Sequence, residues 1–225
     1  DEEIKKIENA DEYNQKLRLE QEKLEHEMNL IAEKISEIRK ENAQKLNEKI
    51  NQELVDLEMQ NAKINIKVEY KVNEFFENGK DQVEIFIKTN VGENENKLTQ
   101  IASGGEMSRI MLAIKKVLAE VDRMPIMIFD EIDTGISGKA AKSVANKLKT
   151  ISKNHQVLCI SHLAPIAAIA DYNYFISKKV QNERTSTEIK LLDEQEVLYE
   201  IARISSGEVN EVTLKYASEL RNKIA

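Results

Sequence analysis

The sequence predicts an α/β fold, a mainly parallel sheet with flanking helices, joined to one long N-terminal coiled-coil helix. Three observations predict it. Residues 1–60 contain neither glycine nor proline, and their apolar residues recur at helical spacing. From Gly105 onward, short apolar runs alternate with stretches long enough for helices, the pattern of strand–helix–strand units. Between the two regions the hydrophobic period drops to two, which marks a pair of half-buried strands.

The first element is the arm. Ile7, Ala10, Asn14, Leu17, Gln21, Leu24, Met28, Ile31, Ile35 and Ile38 step by three and four without interruption. That is a heptad seam with two polar interruptions. The register slips near Asn42 and resumes through Leu46, Ile50, Leu54 and Leu57. A solitary helix would leave this seam in water, so it calls for a partner helix. The alternative is a long surface helix on a bundle, which usually has a wider apolar face. The division expected is a coiled-coil arm at residues 1–60 and a globular part at residues 61–225.

Next come Ile64, Ile66, Val68, Tyr70 and Val72, alternating with polar residues, then a turn at Glu77–Lys80 and a second strand through Val83, Ile85 and Ile87. They read as a hairpin. Val91 to Asn96 is a polar loop. Met107–Val121 is a helix and Ile126–Phe129 an apolar strand. Lys139–Ile151 is a helix and Val157–Ile160 another buried strand. Leu163–Ala170 is a short helix, Tyr174–Ile176 a third strand and Thr187–Leu192 a further one. Helices around Glu194–Ile204 and Glu211–Ile224 close the chain.

Charge and composition narrow the possibilities. Charged residues are 32% of the 225, aromatics only 5%, which suits a long helix attached to a domain. Residues 1–60 carry the whole net charge of −7, and the remainder is balanced. No lysine or arginine block announces a nucleic-acid stripe. Cys159 is the single cysteine, so no disulfide can form within the chain. No apolar run approaches a membrane span and no signal peptide precedes the first element, so the expectation is a soluble cytoplasmic protein. The chain opens at Asp1, inside a charged periodic stretch, and is read as a piece of something longer.

Three short motifs carry chemistry. Ser103-Gly104-Gly105-Glu106 opens a helix. Its glycines leave backbone N–H groups unobstructed at a helix N-terminus, which favours an anion, and Ser103 adds a hydroxyl donor. The same four residues also read as an ordinary capping box. Asp130-Glu131 ends an apolar strand, at the sheet edge where ligands of open α/β sheets bind. There Asp130 would hold Mg²⁺ and Glu131 would act as general base on an attacking water. Acidic residues also end buried strands merely as solvated or capping groups. Ser161-His162 follows the strand Val157–Ile160, which sets His162 beside the same edge, within reach of a γ-phosphate. A lone histidine there is more often structural. A catalytic Ser–His pair is not expected, because neighbours on a strand point to opposite faces.

The order and spacing of the three motifs match the C-terminal lobe of ABC ATPase heads, with Asp133-Thr134-Gly135 where such heads carry their D-loop. The likeness narrows further. Ile101 to Ala113, with the run Ser103-Gly104-Gly105-Glu106-Met107-Ser108-Arg109, resembles the signature helix of the RecN family. Ile128-Phe129-Asp130-Glu131-Ile132-Asp133-Thr134-Gly135-Ile136-Ser137-Gly138 resembles its Walker B and D-loop block, and His162-Leu163-Ala164-Pro165-Ile166-Ala167-Ala168 its switch-histidine segment. The resemblance covers residues 60–225; the arm matches in kind.

That resemblance implies an SMC-like, ATP-driven head on an antiparallel coiled coil, acting in recombinational repair of double-strand breaks in the bacterial cytoplasm, at the nucleoid. It implies ATP and Mg²⁺ as cofactors, with Asp130 on the metal, Glu131 on the water and His162 on the γ-phosphate. Ser103, Gly104 and Gly105, with Glu106 beside them, would meet ATP held by the opposing head of a homodimer, and Asp133 would link the two sites. DNA is the further partner implied, and no membrane is. The chain departs from the family in one large respect: no G-x-x-x-x-G-K-[ST] occurs in it. In the family that Walker A loop lies in the N-terminal half, which would also supply the arm's partner helix. Half an active site is therefore expected here, inactive by itself, with self-association through the orphan seam. A chromosome-organising ATPase of the same class and a non-catalytic coiled-coil scaffold are the competing readings.

Overall fold

The computed structural model describes residues 2–100, 104–119, 121, 124–136, 138–181 and 184–224. It forms two compact units, Asp1–Glu48 with Ile64–Ile87, and Lys49–Lys63 with Lys88–Ala225.

In the first unit, helix α1 (Glu2–Asp56) meets a hairpin of strands β1 (Lys63–Tyr70) and β2 (Asp81–Lys88). Ala32, Ser36, Arg39, Ala43 and Asn47 share one face of α1 by their spacing, and Ala32, Ser36 and Ala43 are buried. Their small side chains allow close approach, and the polar members hold the strands. The Asn47 Oδ1 accepts the Ile66 N–H at 2.8 Å. Arg39 donates to Asp81 Oδ2 at 3.0 Å and to the Asn78 carbonyl at 2.8 Å. Lys80 donates to Asn29 Oδ1 at 2.6 Å and lies 4.1 Å over the Phe75 ring. The turn pivots on Gly79 at φ +117°. The heptad seam lies on different residues of α1, and Leu24, Ile31 and Ile38 are each more than half exposed. The sequence reading found the seam and missed this second, small-residue stripe, which carries too little hydrophobicity to register as a period.

In the second unit, Ile50, Leu54 and Leu57 at the end of the arm are buried. Glu53 accepts a hydrogen bond from Lys116 at 2.8 Å and a second, shorter one from Lys147, which also pairs with Asp56 at 3.1 Å. After the two-residue strand β3 (Asn96–Lys97) come helix α2 (Gly104–Leu118), strand β4 (Ile126–Phe129), helix α3 (Gly138–Ser152) and strand β5 (Gln156–Cys159). β4 and β5 are parallel, with Ile126 opposite Gln156 and Phe129 opposite Cys159. Here α3 is the crossover that a parallel pair requires. His155 is buried, its ring nitrogens 2.7 Å from the Met124 carbonyl and 3.2 Å from that of Ala119, which pins the loop before β4 to the end of α2. The pair has two unlike faces. Met127 and Phe129 are buried, while Ile126, Ile128, Leu158 and Ile160 are exposed.

Helix α4 (Ala164–Ile169) comes next, then strands β6 (Tyr174–Gln181) and β7 (Arg184–Leu191), and helices α5 (Glu194–Ser206) and α6 (Glu211–Ile224). Ala164, Ala168, Val197, Ile201, Ala202, Ala217 and Leu220 form the core under α4, α5 and α6. Asp193 and Glu196 make the capping box that starts α5, and Gly207 at φ +79° ends it. β6 and β7 pair antiparallel over eight residues. Against this antiparallel pair, β4 and β5 make a parallel one. No described helix is long and apolar enough to cross a membrane.

Candidate active site at the ends of β4 and β5

The site is built on a turn that the chain makes on leaving β4. Asp130 Oδ1 accepts the Glu131 N–H at 2.9 Å, and Glu131 adopts φ +55°. That conformation costs a residue with a side chain about 1–3 kcal/mol, and such strain clusters at functional sites. The next three residues hold it in place. Ile132 and Asp133 turn inward and are buried, and the Glu131 carbonyl accepts the Thr134 N–H at 3.1 Å. Asp130 and Glu131 themselves remain exposed.

The start of α2 lies directly against this turn. A Cβ on Gly104 would stand 2.6 Å from Glu131 Oε2, and one on Gly105 would stand 2.8 Å from the Thr134 Cβ. At Gly105, whose near neighbours are a Cβ and backbone carbonyls, only glycine allows the approach. Two side chains fasten it. Ser108 donates to the Asp130 carbonyl at 2.7 Å, and Arg109 to the Thr134 carbonyl at 2.6 Å. Burial lowers the pKa of the Arg109 guanidinium, and the charge of Glu106 opposes that shift. Arg109 thus meets the backbone of the turn rather than its carboxylates.

Beyond β5, Asp133 gathers the histidine segment. Its Oδ2 accepts from Ser161 Oγ at 2.5 Å and from the His162 N–H at 2.7 Å, and His162 Nδ1 lies 3.1 Å from the same oxygen. The His162 side chain is 75% exposed, so the rest of the ring faces outward. Burial, together with the negative charges of Asp133 and Asp130, pushes the Cys159 thiol up to about 12. That cysteine is not a nucleophile at neutral pH.

Gly104, Gly105, Asp130, Glu131, Asp133 and His162 therefore share one cluster of loops, with Glu106 in the first turn of α2. Ser103 lies outside the described residues. Sequence reasoning gave Ser108 and Thr134 no role of their own. The pairing not expected was a catalytic one between Ser161 and His162, and the Ser161 hydroxyl donates to Asp133 instead.

Over 237 aligned residues and 98% of its length, the chain is 39% identical to "DNA repair protein RecN" of Bacillus subtilis. The chain belongs to the RecN family. It is also 43% identical, over 83% of its length, to the protein of the same description in Halalkalibacterium halodurans. It spans only 41% and 34% of the lengths of these two relatives. Among solved structures, the Smc head domain with a coiled coil and joint from Pyrococcus yayanosii matches 90% of this RecN-family chain and 38% of its own, with a TM-score of 0.50 at 21% identity. That likeness supports the fold: an α/β head carrying a long helix. No family model matches the chain.

Proposed function

We propose that the chain is the C-terminal lobe of an ATP-hydrolysing head, residues 61–225 behind an arm at 1–60, in a protein that repairs DNA double-strand breaks by recombination. The observation that carries this is the meeting of the α2 start, the Asp130-Glu131 turn and His162 in one loop cluster. Relatives described as DNA repair proteins support the biological setting, which would be the bacterial cytoplasm, at the nucleoid.

In this reading Glu131 takes the proton of the attacking water, and its exposed carboxylate at a strand end suits that role. His162 presents its outward ring to the γ-phosphate. Ser103, Gly104, Gly105 and the first turn of α2 at Glu106 offer backbone and hydroxyl donors to ATP on an opposing head, so that ATP closes a head dimer. Asp130 would hold Mg²⁺. Such an ion takes most of its ligands from water and phosphate. When bound, the ion neutralises charge on the phosphate oxygens.

The site is half complete. No Walker A sequence is present, and Ile126, Ile128, Leu158 and Ile160 leave one face of a parallel pair uncovered. Parallel sheets are normally covered on both faces. An N-terminal half of the same protein, carrying Walker A, would cover it, and the chain by itself would bind ATP weakly. The test is ATP turnover by the chain co-expressed with that half, with and without DNA, beside Glu131→Gln. We expect turnover, and a loss of the order of 10²–10⁴-fold in the variant with ATP binding kept. A folded pair in which neither version turns over would favour a non-catalytic scaffold.

A further inference from the structure

We propose that Asp133 is the positioning residue of His162, fixing which ring nitrogen faces outward, and that it acts within this chain rather than across a head dimer. The proposal rests on the role of His162 at the γ-phosphate.

Asp133 is 3% exposed. A buried carboxylate is costly unless hydrogen bonds satisfy it, and Ser161 and His162 supply that satisfaction. The Ser161 hydroxyl and the His162 N–H both donate to Oδ2, and His162 Nδ1 lies 3.1 Å from it. Ser161 Oγ in turn accepts the Leu163 N–H at 3.1 Å, which closes the turn around the ring. The Nδ1–Oδ2 contact is one of charge and distance: a carboxylate 3.1 Å away repels a lone pair on Nδ1, which favours hydrogen there and turns Nε2 outward, where it donates to a phosphate oxygen only in the doubly protonated ring. This is the arrangement by which a second carboxylate sets the tautomer and aim of a working histidine. A side chain this deeply buried and engaged by these donors is not free to reach another head.

The test is the tautomer itself. The chain is labelled with ¹⁵N-histidine, His162 is assigned by its loss in His162→Asn, and long-range ¹H–¹⁵N correlations are read. The neutral ring should show Nδ1 protonated. Asp133→Ala should shift it toward Nε2–H, while Ser161→Ala should keep the wild-type pattern. An Nε2–H ring in the wild type would overturn the proposal, whatever Asp133→Ala does. In the assembled head, Asp133→Ala should lower kcat about 10- to 100-fold with KM for ATP little changed. Combined with His162→Ala, it should cost nothing beyond His162→Ala alone, whereas multiplicative losses would refute the coupling. If the assembled head never turns over ATP, the functional reading fails, and the tautomer decides the fate of Asp133 by itself.

Discussion

Gly104 and Gly105 are neighbours in the first turn of α2, yet alanine should affect them differently. Neither has a positive φ, so the backbone tolerates a side chain at both. At Gly105 the new Cβ would meet the Thr134 Cβ at 2.8 Å, the Glu131 carbonyl at 3.1 Å and the Thr134 carbonyl at 3.2 Å. Carbon atoms prefer about 3.5–4.0 Å. None of these atoms is the end of a flexible side chain, so the acidic turn itself must shift, at about 1–3 kcal/mol. Alanine returns up to about 1 kcal/mol through helix propensity. With the full return, the net should be a loss of up to about 2 kcal/mol. At Gly104 the close atom among the described residues is Glu131 Oε2, at 2.6 Å, with the carboxyl carbon at 3.7 Å. That carboxylate can rotate away, so the propensity gain survives and Gly104→Ala should be neutral or slightly stabilising. Urea unfolding of both variants, read as a midpoint shift at unchanged slope, measures the difference. Gly105→Ala as stable as Gly104→Ala would refute the packing argument. In the assembled head the ranking by turnover should invert for Gly104→Ala, which leaves stability intact while displacing Glu131.

Four further outcomes are expected. Burial pushes the Glu53 carboxyl up, but hydrogen bonds from Lys116 and Lys147 outweigh it and hold the group below its ordinary 4.5. Its stabilisation is therefore full above about pH 4.5 and fades as the pH falls through the lower folded value. Glu53→Gln should flatten that acid limb of the urea midpoint, and an unchanged pH profile would contradict it. Glu53→Ala should cost about 3 kcal/mol at neutral pH, because Lys147 is left buried with only Asp56. The Cys159 thiol, ordinarily near 9.0 and raised here to about 12, favours the folded chain below the first value and loses that contribution as the pH climbs toward the second. Iodoacetamide at pH 8 should label it far more slowly in the native chain than in urea, and equal rates would remove the argument. The exposed seam at Leu24, Ile31 and Ile38 should drive self-association that Ile31→Glu weakens, and a wild-type monomer in concentrated solution by sedimentation would speak against it.

Much of the molecule is dictated by local rules. An arm without glycine or proline, its apolar residues spaced by three and four, favours a continuous helix, and α1 runs unbroken for 55 residues. Period-two alternation gives β1 and β2, apolar runs give β4 and β5, and Asp193 with Glu196 fixes the start of α5. The three chemical motifs were legible as well, because each depends on residue types at short spacing: glycines at a helix start, carboxylates and a histidine at strand ends. What only the tertiary structure decided is how they meet. The closeness of Gly105 to Thr134, the left-handed turn at Glu131 and the grip of Asp133 on Ser161 and His162 join residues many positions apart. No periodicity encodes such contacts, since they depend on the register of β4 against β5 and on which side chains that register buries. The small-residue face of α1 was hidden for the same reason. Ala32 and Ser36 advertise nothing by hydrophobicity, and their meaning is the space they leave for a neighbouring hairpin.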